Sequence, residues 1–106
     1  MPSLKHDLQE LNLNPKEVAI YMALLELGEA SIERIAHKSA VKRTTVYDVM
    51  TTLKDKGLVG LTKHKKRTIY YAEDPRVLET QLEEKMITAQ RILPELLSLT
   101  TTIERK

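Results

Sequence analysis

SIERIAHKSAVKRTTVYDVMTTLKDKG, residues 31–57, reads as two helices that cross at a tight turn. Ser31 offers an N-cap hydroxyl to a helix reaching about Ser39, and a second helix runs from about Arg43 to Lys56, where Gly57 stops it. Ile35, Val46 and Val49 are spaced to meet between the two helices, and Ala36 is small where they cross. Ala40 falls in the turn, where the chain needs a positive φ at a cost of roughly 1 kcal/mol for a residue with a Cβ. Val41 follows as an apolar plug from the turn into the core. With these residues inward, helical periodicity turns Lys42, Arg43, Thr44, Tyr47, Asp48 and Thr51 outward. The expected unit is a helix-turn-helix whose second helix carries a polar, donor-rich outer face.

Elements on either side extend this unit. Ser3 caps a short helix carrying Leu4, Leu8 and Leu11 and ending near Asn12. Asn14-Pro15-Lys16-Glu17 combines a capping Asn, a first-turn Pro and a Glu three residues after the cap, and so starts a helix that ends at Gly28. Val18, Tyr21, Leu24, Leu25 and Leu27 form its expected apolar stripe. After Gly57 the period changes to two: Leu58 to Thr62 and Thr68 to Ala72 read as strands joined by Lys63-His64-Lys65-Lys66-Arg67. Asp74-Pro75 then repeats the cap-plus-proline signal and opens a long last helix interrupted by Pro94. The fold class is mainly α with a small β-hairpin: a winged helix-turn-helix with a C-terminal coiled-coil helix.

The outward residues suit nucleic acid. A helix fits the major groove, where Arg43 can grip guanine through two hydrogen bonds and Thr44 can offer a hydroxyl or methyl to a base. Tyr47 suits a phosphate or sugar, with a half-buried packing role as the alternative, and Asp48 either accepts from cytosine or orients Arg43. Four of the five hairpin-tip residues are cations, an arrangement that costs electrostatic free energy unless a polyanion neutralises it. Lys63, Lys65, Lys66 and Arg67 are therefore expected on the DNA backbone or in the minor groove.

Charge distribution agrees. The net charge of the 106 residues is only +2, yet Arg34 to Arg67 holds ten Lys/Arg against Asp48 and Asp55, and acids predominate in the flanks. One face is thus suited to a polyanion. Apolar residues make up 42% and charged residues 30%, a globular balance, and the absence of cysteine excludes disulfide and thiolate-metal chemistry. No stretch approaches the roughly 20 apolar residues of a membrane span and the first residues lack a leader pattern, so a cytoplasmic protein is expected. His6, His37 and His64 lie in separate elements and no glycine-rich phosphate loop exists, so no catalytic residue, metal or cofactor is expected.

In the last helix Leu82, Met86, Ala89, Leu93, Leu96, Thr100 and Ile103 alternate spacings of four and three, the seam of a coiled coil. Some 30 helical residues span about 45 Å, more than one small domain covers, so a partner helix is expected. Leu82, Met86, Ala89, Leu93, Leu96 and Ile103 are the candidate homodimer interface. Residues 1–73 form the expected DNA-binding domain, with the recognition helix at about 43–56 and the wing at 63–67, and residues 74–106 the dimerisation helix.

From Leu11 to Leu97 the sequence resembles the N-terminal DNA-binding domain of the TrmB family of archaeal transcriptional regulators. NPKEVAIYMALLELG, VKRTTVYDVMTTL, KGLV and the later YYAEDP carry the resemblance. It implies a winged helix, promoter binding as a dimer, DNA contact by Arg43, Thr44 and Tyr47, and wing contact by Lys63 to Arg67. Asn12 and Ala40 stand where the family often has glycine. Full-length members continue into a sugar-binding domain that has no counterpart here, so no effector is inherited and a small standalone regulator or a fragment is expected. The expected function is sequence-specific regulation of transcription at a pseudo-palindrome with half-sites about 10 bp apart or a multiple of that. An architectural chromatin protein and a protein-interaction module are the competing readings.

Overall fold

The computed structural model describes residues 3–104, with side chains through residue 100. The chain divides into two compact units between Pro75 and Arg76. The first contains α1 (Leu4–Glu10), α2 (Pro15–Leu27), β1 (Glu29–Ala30), α3 (Ile32–Ser39), α4 (Arg43–Asp55), β2 (Val59–His64) and β3 (Arg67–Ala72), and the second is α5 (Val77–Glu104). The winged helix-turn-helix architecture is as expected.

Local chemistry sets the helix starts. The Ser3 hydroxyl accepts from the His6 N–H at 3.0 Å, and that of Ser31 from the Arg34 N–H at 3.4 Å. At α2 the cap is reciprocal: Asn14 Oδ1 accepts from the Glu17 N–H at 2.8 Å while Glu17 Oε1 accepts from the Asn14 N–H at 2.9 Å. Three turn residues other than glycine adopt positive φ, Asn12 at 76°, Ala40 at 60° and Lys65 at 61°. The Ala40 conformation is the left-handed one that the helix-turn-helix reading required.

The core gathers Val18, Ile20, Tyr21 and Leu24 of α2, Ile32 and Ile35 of α3, and Val46, Val49, Met50 and Leu53 of α4, all buried. Truncating any of the large ones to Ala would cost roughly 2–5 kcal/mol. The α2 stripe is rotated from the expected one. Ile20 and Ala23 are buried, whereas Leu25 is exposed and Leu27 half-buried, because the helix docks through positions 17, 20, 21 and 24. Val41 is half-buried rather than a full plug.

The sheet has three strands in the order β1-β3-β2, all antiparallel. Glu29↔Tyr71 and Ala30↔Tyr70 add a two-residue strand that the sequence reading did not contain. Strands this short carry no alternation to detect; Ala30 is buried and Glu29 exposed. The hairpin is also tighter than expected. His64 pairs with Arg67, so only Lys65 and Lys66 form the turn, and Lys63 and Arg67 belong to the strands. Opposite Tyr71, Gly60 has no side chain because the Tyr71 ring occupies the space a Cβ would take. A residue with a Cβ at position 60 would displace that ring.

The last helix begins at Val77 and not at Pro75; a turn at Pro75-Arg76 precedes it, and the Arg76 carbonyl accepts from the N–H groups of Glu79 and Thr80 at 3.1 Å each. The helix continues through Pro94, which leaves the carbonyl four residues earlier without its backbone donor. Among the described residues no helix is long and apolar enough to cross a membrane.

Candidate nucleic-acid interface

Burial of Val46, Val49, Met50 and Leu53 fixes the rotation of α4 about its axis. The opposite face is thereby exposed, and Lys42, Arg43, Thr44, Tyr47, Asp48 and Thr51 all lie on it. Lys63, Lys65, Lys66 and Arg67 on the β2–β3 hairpin are exposed as well. Arg43 and Tyr47 share a cleft of about 320 Å³ with Lys66, Arg67 and Thr68 of the hairpin, bordered by Ser31, Ile32, Glu33 and Tyr70. The first turns of α4 and the hairpin therefore meet on one side of the first unit. A neighbouring cleft holds Thr51 with Lys54, Asp55, Leu61 and Tyr70. Lys42, Thr44, Asp48, Lys63 and Lys65 line neither cleft, although Lys63 is the cross-strand partner of Thr68.

Arg43 is engaged by neighbouring side chains of the first unit. Its Nη2 lies 3.0 Å from Glu33 Oε1 of α3, and its guanidinium carbon sits 5.9 Å from the centre of the Tyr47 ring. Hydrogen bonding with the Tyr47 side chain, followed by the Glu33 charge, keeps the guanidinium pKa above its ordinary value. The carboxylate that orients Arg43 is therefore Glu33 and not Asp48. Arg43 and Asp48, five apart on α4, stand at opposite edges of the exposed face, about 140° apart around the axis, whereas Glu33 in the first turn of α3 reaches the first turn of α4. Tyr47 is 47% exposed, so its ring stands beside Arg43 instead of packing in the core. Tyr70, which borders both clefts, has its phenol pKa raised by burial and then by Tyr47.

Glu17 was legible only as a capping residue, yet it also supports α4 from behind. Its side chain is 2% exposed; Thr52 Oγ1 donates to Oε2 at 2.8 Å and Lys56 Nζ to Oε1 at 2.7 Å. Burial alone would raise the Glu17 pKa, but the bonds from Lys56, the Asn14 backbone and Thr52 outweigh it and hold the value below 4.5.

On α5, Leu82, Met86, Ala89, Leu93 and Leu96 are all exposed. Ile87, Leu97 and Leu99 are exposed apolar residues that the seam reading did not include, and the Ile103 side chain lies outside the described residues.

The family described as sugar-specific transcriptional regulator TrmB matches residues 8–76. The HTH-type sugar sensing transcriptional regulator TrmBL1 of Pyrococcus furiosus is 28% identical over 81 residues, covering 76% of this chain and 24% of its own length. This chain thus spans about a quarter of that relative. Among solved structures, TrmBL2, an archaeal chromatin protein, is similar with a TM-score of 0.66 and 24% identity over 97% of this chain and 43% of its own. The homodimeric winged helix-turn-helix DNA-binding domain of Mb0332 from Mycobacterium bovis is similar with a TM-score of 0.56 and 23% identity, covering 79% of this chain and 77% of its own.

Proposed function

We propose, because the chain belongs to the TrmB family of transcriptional regulators, that it is a non-enzymatic regulator binding double-stranded DNA sequence-specifically as a homodimer. In this reading α4 enters the major groove, where Arg43 and Thr44 contact base edges and Lys42, Tyr47, Asp48 and Thr51 lie along its flanks. Lys63, Lys65, Lys66 and Arg67 of the wing contact backbone or minor groove, and these contacts position the protein without specifying sequence. The observation that supports it best is the cleft shared by Arg43, Tyr47, Lys66 and Arg67, since a duplex laid along α4 meets the wing cations on the same side.

Residues 1–73 would act as the reader and residues 74–106 as the dimerisation element. Leu82, Met86, Ala89, Leu93 and Leu96 repeat at coiled-coil spacing and are solvent-exposed, so a second α5 would remove them from water. Pro94 follows a seam position directly and so faces away from the partner, where its missing N–H is tolerated.

A second reading, an architectural chromatin protein, has support in the similarity to TrmBL2 over nearly the whole chain. Selecting bound duplexes from random DNA, with the mass of the complex measured alongside, separates the two. Enrichment of a pseudo-palindrome with two chains per duplex is expected. Binding indifferent to sequence would favour the chromatin role and overturn the specific one.

A further inference from the structure

We infer that Glu33 is a positioning residue that sets sequence specificity, holding Arg43 for a guanine edge and keeping phosphate off it. The inference rests on the proposed recognition role of α4. Glu33 lies outside α4, in the first turn of α3, yet its carboxylate reaches Arg43 Nη2 at 3.0 Å. With the centre of the Tyr47 ring 5.9 Å from the same guanidinium carbon, Arg43 has both an ionic and an aromatic partner. Five N–H donors radiate from a guanidinium, so a carboxylate at Nη2 leaves others for the paired acceptors of guanine.

Fold stability does not account for this pair. The two side chains are 59% and 61% exposed, the setting in which ion pairs contribute little. As a bare charge Glu33 is also out of place, because it borders a cleft shared with Lys66 and Arg67 on the face proposed for a polyanion. A phosphate approaching Arg43 as a simple counterion meets this carboxylate. A guanine edge, which is neutral and needs a directed fork, is penalised far less. Glu33 thus weakens binding to arbitrary DNA more than binding to the correct site.

Glu33→Gln keeps the shape and removes the charge. It is compared with the unaltered chain on the best duplex from random selection and on a scrambled duplex, across a salt series. Affinity for the scrambled duplex should rise several-fold, and its salt dependence should steepen by about 0.9 log units as Arg43 gains a phosphate. The ratio of specific to scrambled affinity should fall at least ~5-fold, with preference lost at a single base position. Glu33→Asp should retain much of that preference. An equal shift on both duplexes, with the base preference intact, overturns the inference. Arg43→Ala separates the layers: if it leaves all preferences unchanged, the recognition role of α4 fails as well. If it erases one preference that Glu33→Gln leaves intact, only the role of Glu33 falls.

Discussion

Lys56 Nζ, where α4 ends, lies 2.7 Å from the carboxylate of Glu17 in α2, 39 residues earlier in the chain. The same ammonium donates to the Asn12 carbonyl at 2.7 Å, so one side chain ties the end of α4 both to α2 and to the turn before it. Lys56→Met would keep much of the apolar stem and leave a buried carboxylate short of its cation. A loss of about 2–3 kcal/mol in urea unfolding is expected. A change below 0.5 kcal/mol would show that the pair contributes little to stability.

Because Glu17 is held below its ordinary value of 4.5, its contribution to stability is complete above that pH. As pH falls through the folded-state pKa the unfolded chain binds the extra proton first, and the contribution is lost. Glu17→Gln should therefore be less stable at neutral pH while losing less stability on acidification below 4.5 than the unaltered chain. Denaturant titrations at pH 7 and pH 3 measure both quantities.

Ala40 adopts φ 60° and ψ 31°. Glycine removes the Cβ clash but gains entropy in the unfolded chain, so Ala40→Gly should stabilise by a net ~0.5–1 kcal/mol. Asn12→Gly, at a residue that already tolerates this region, should gain less. Thermal unfolding of the two variants side by side tests the ranking.

Arg43→Ala and Lys65→Ala should differ in kind. The first should lower affinity for the selected duplex by roughly 5- to 150-fold and relax one base position. The second should weaken all duplexes alike and reduce the salt slope by about 0.9. Fluorescence anisotropy on matched and mismatched duplexes distinguishes them, and identical behaviour would contradict the division between helix and wing.

On α5, Leu93 and Ile87 are both exposed, at 50% and 63%, but only Leu93 lies on the proposed seam. Leu93→Asp should reduce the mass in solution to that of one chain, whereas Ile87→Asp should leave a dimer. Sedimentation reports both masses, and dimers from both variants would rule out this seam.

Sequence reading was strongest where the determinants lie a few residues apart. Asn14 with Glu17, Ser31 with the Arg34 N–H and the stop at Gly57 all act across three or four positions or within one residue, so their types alone announce them. The outer face of α4 followed from Val46 and Val49, two apolar residues three apart on the helix, and both are buried. Such signals delivered the helices, the hairpin and the order of elements. Contacts across the fold were different. Which carboxylate holds Arg43, which lysine neutralises Glu17, how far α2 is rotated and where a two-residue third strand pairs all depended on distant segments meeting in space. A carboxylate takes whichever cation the packing brings within a few ångströms, and that distance exists only once the helices have docked.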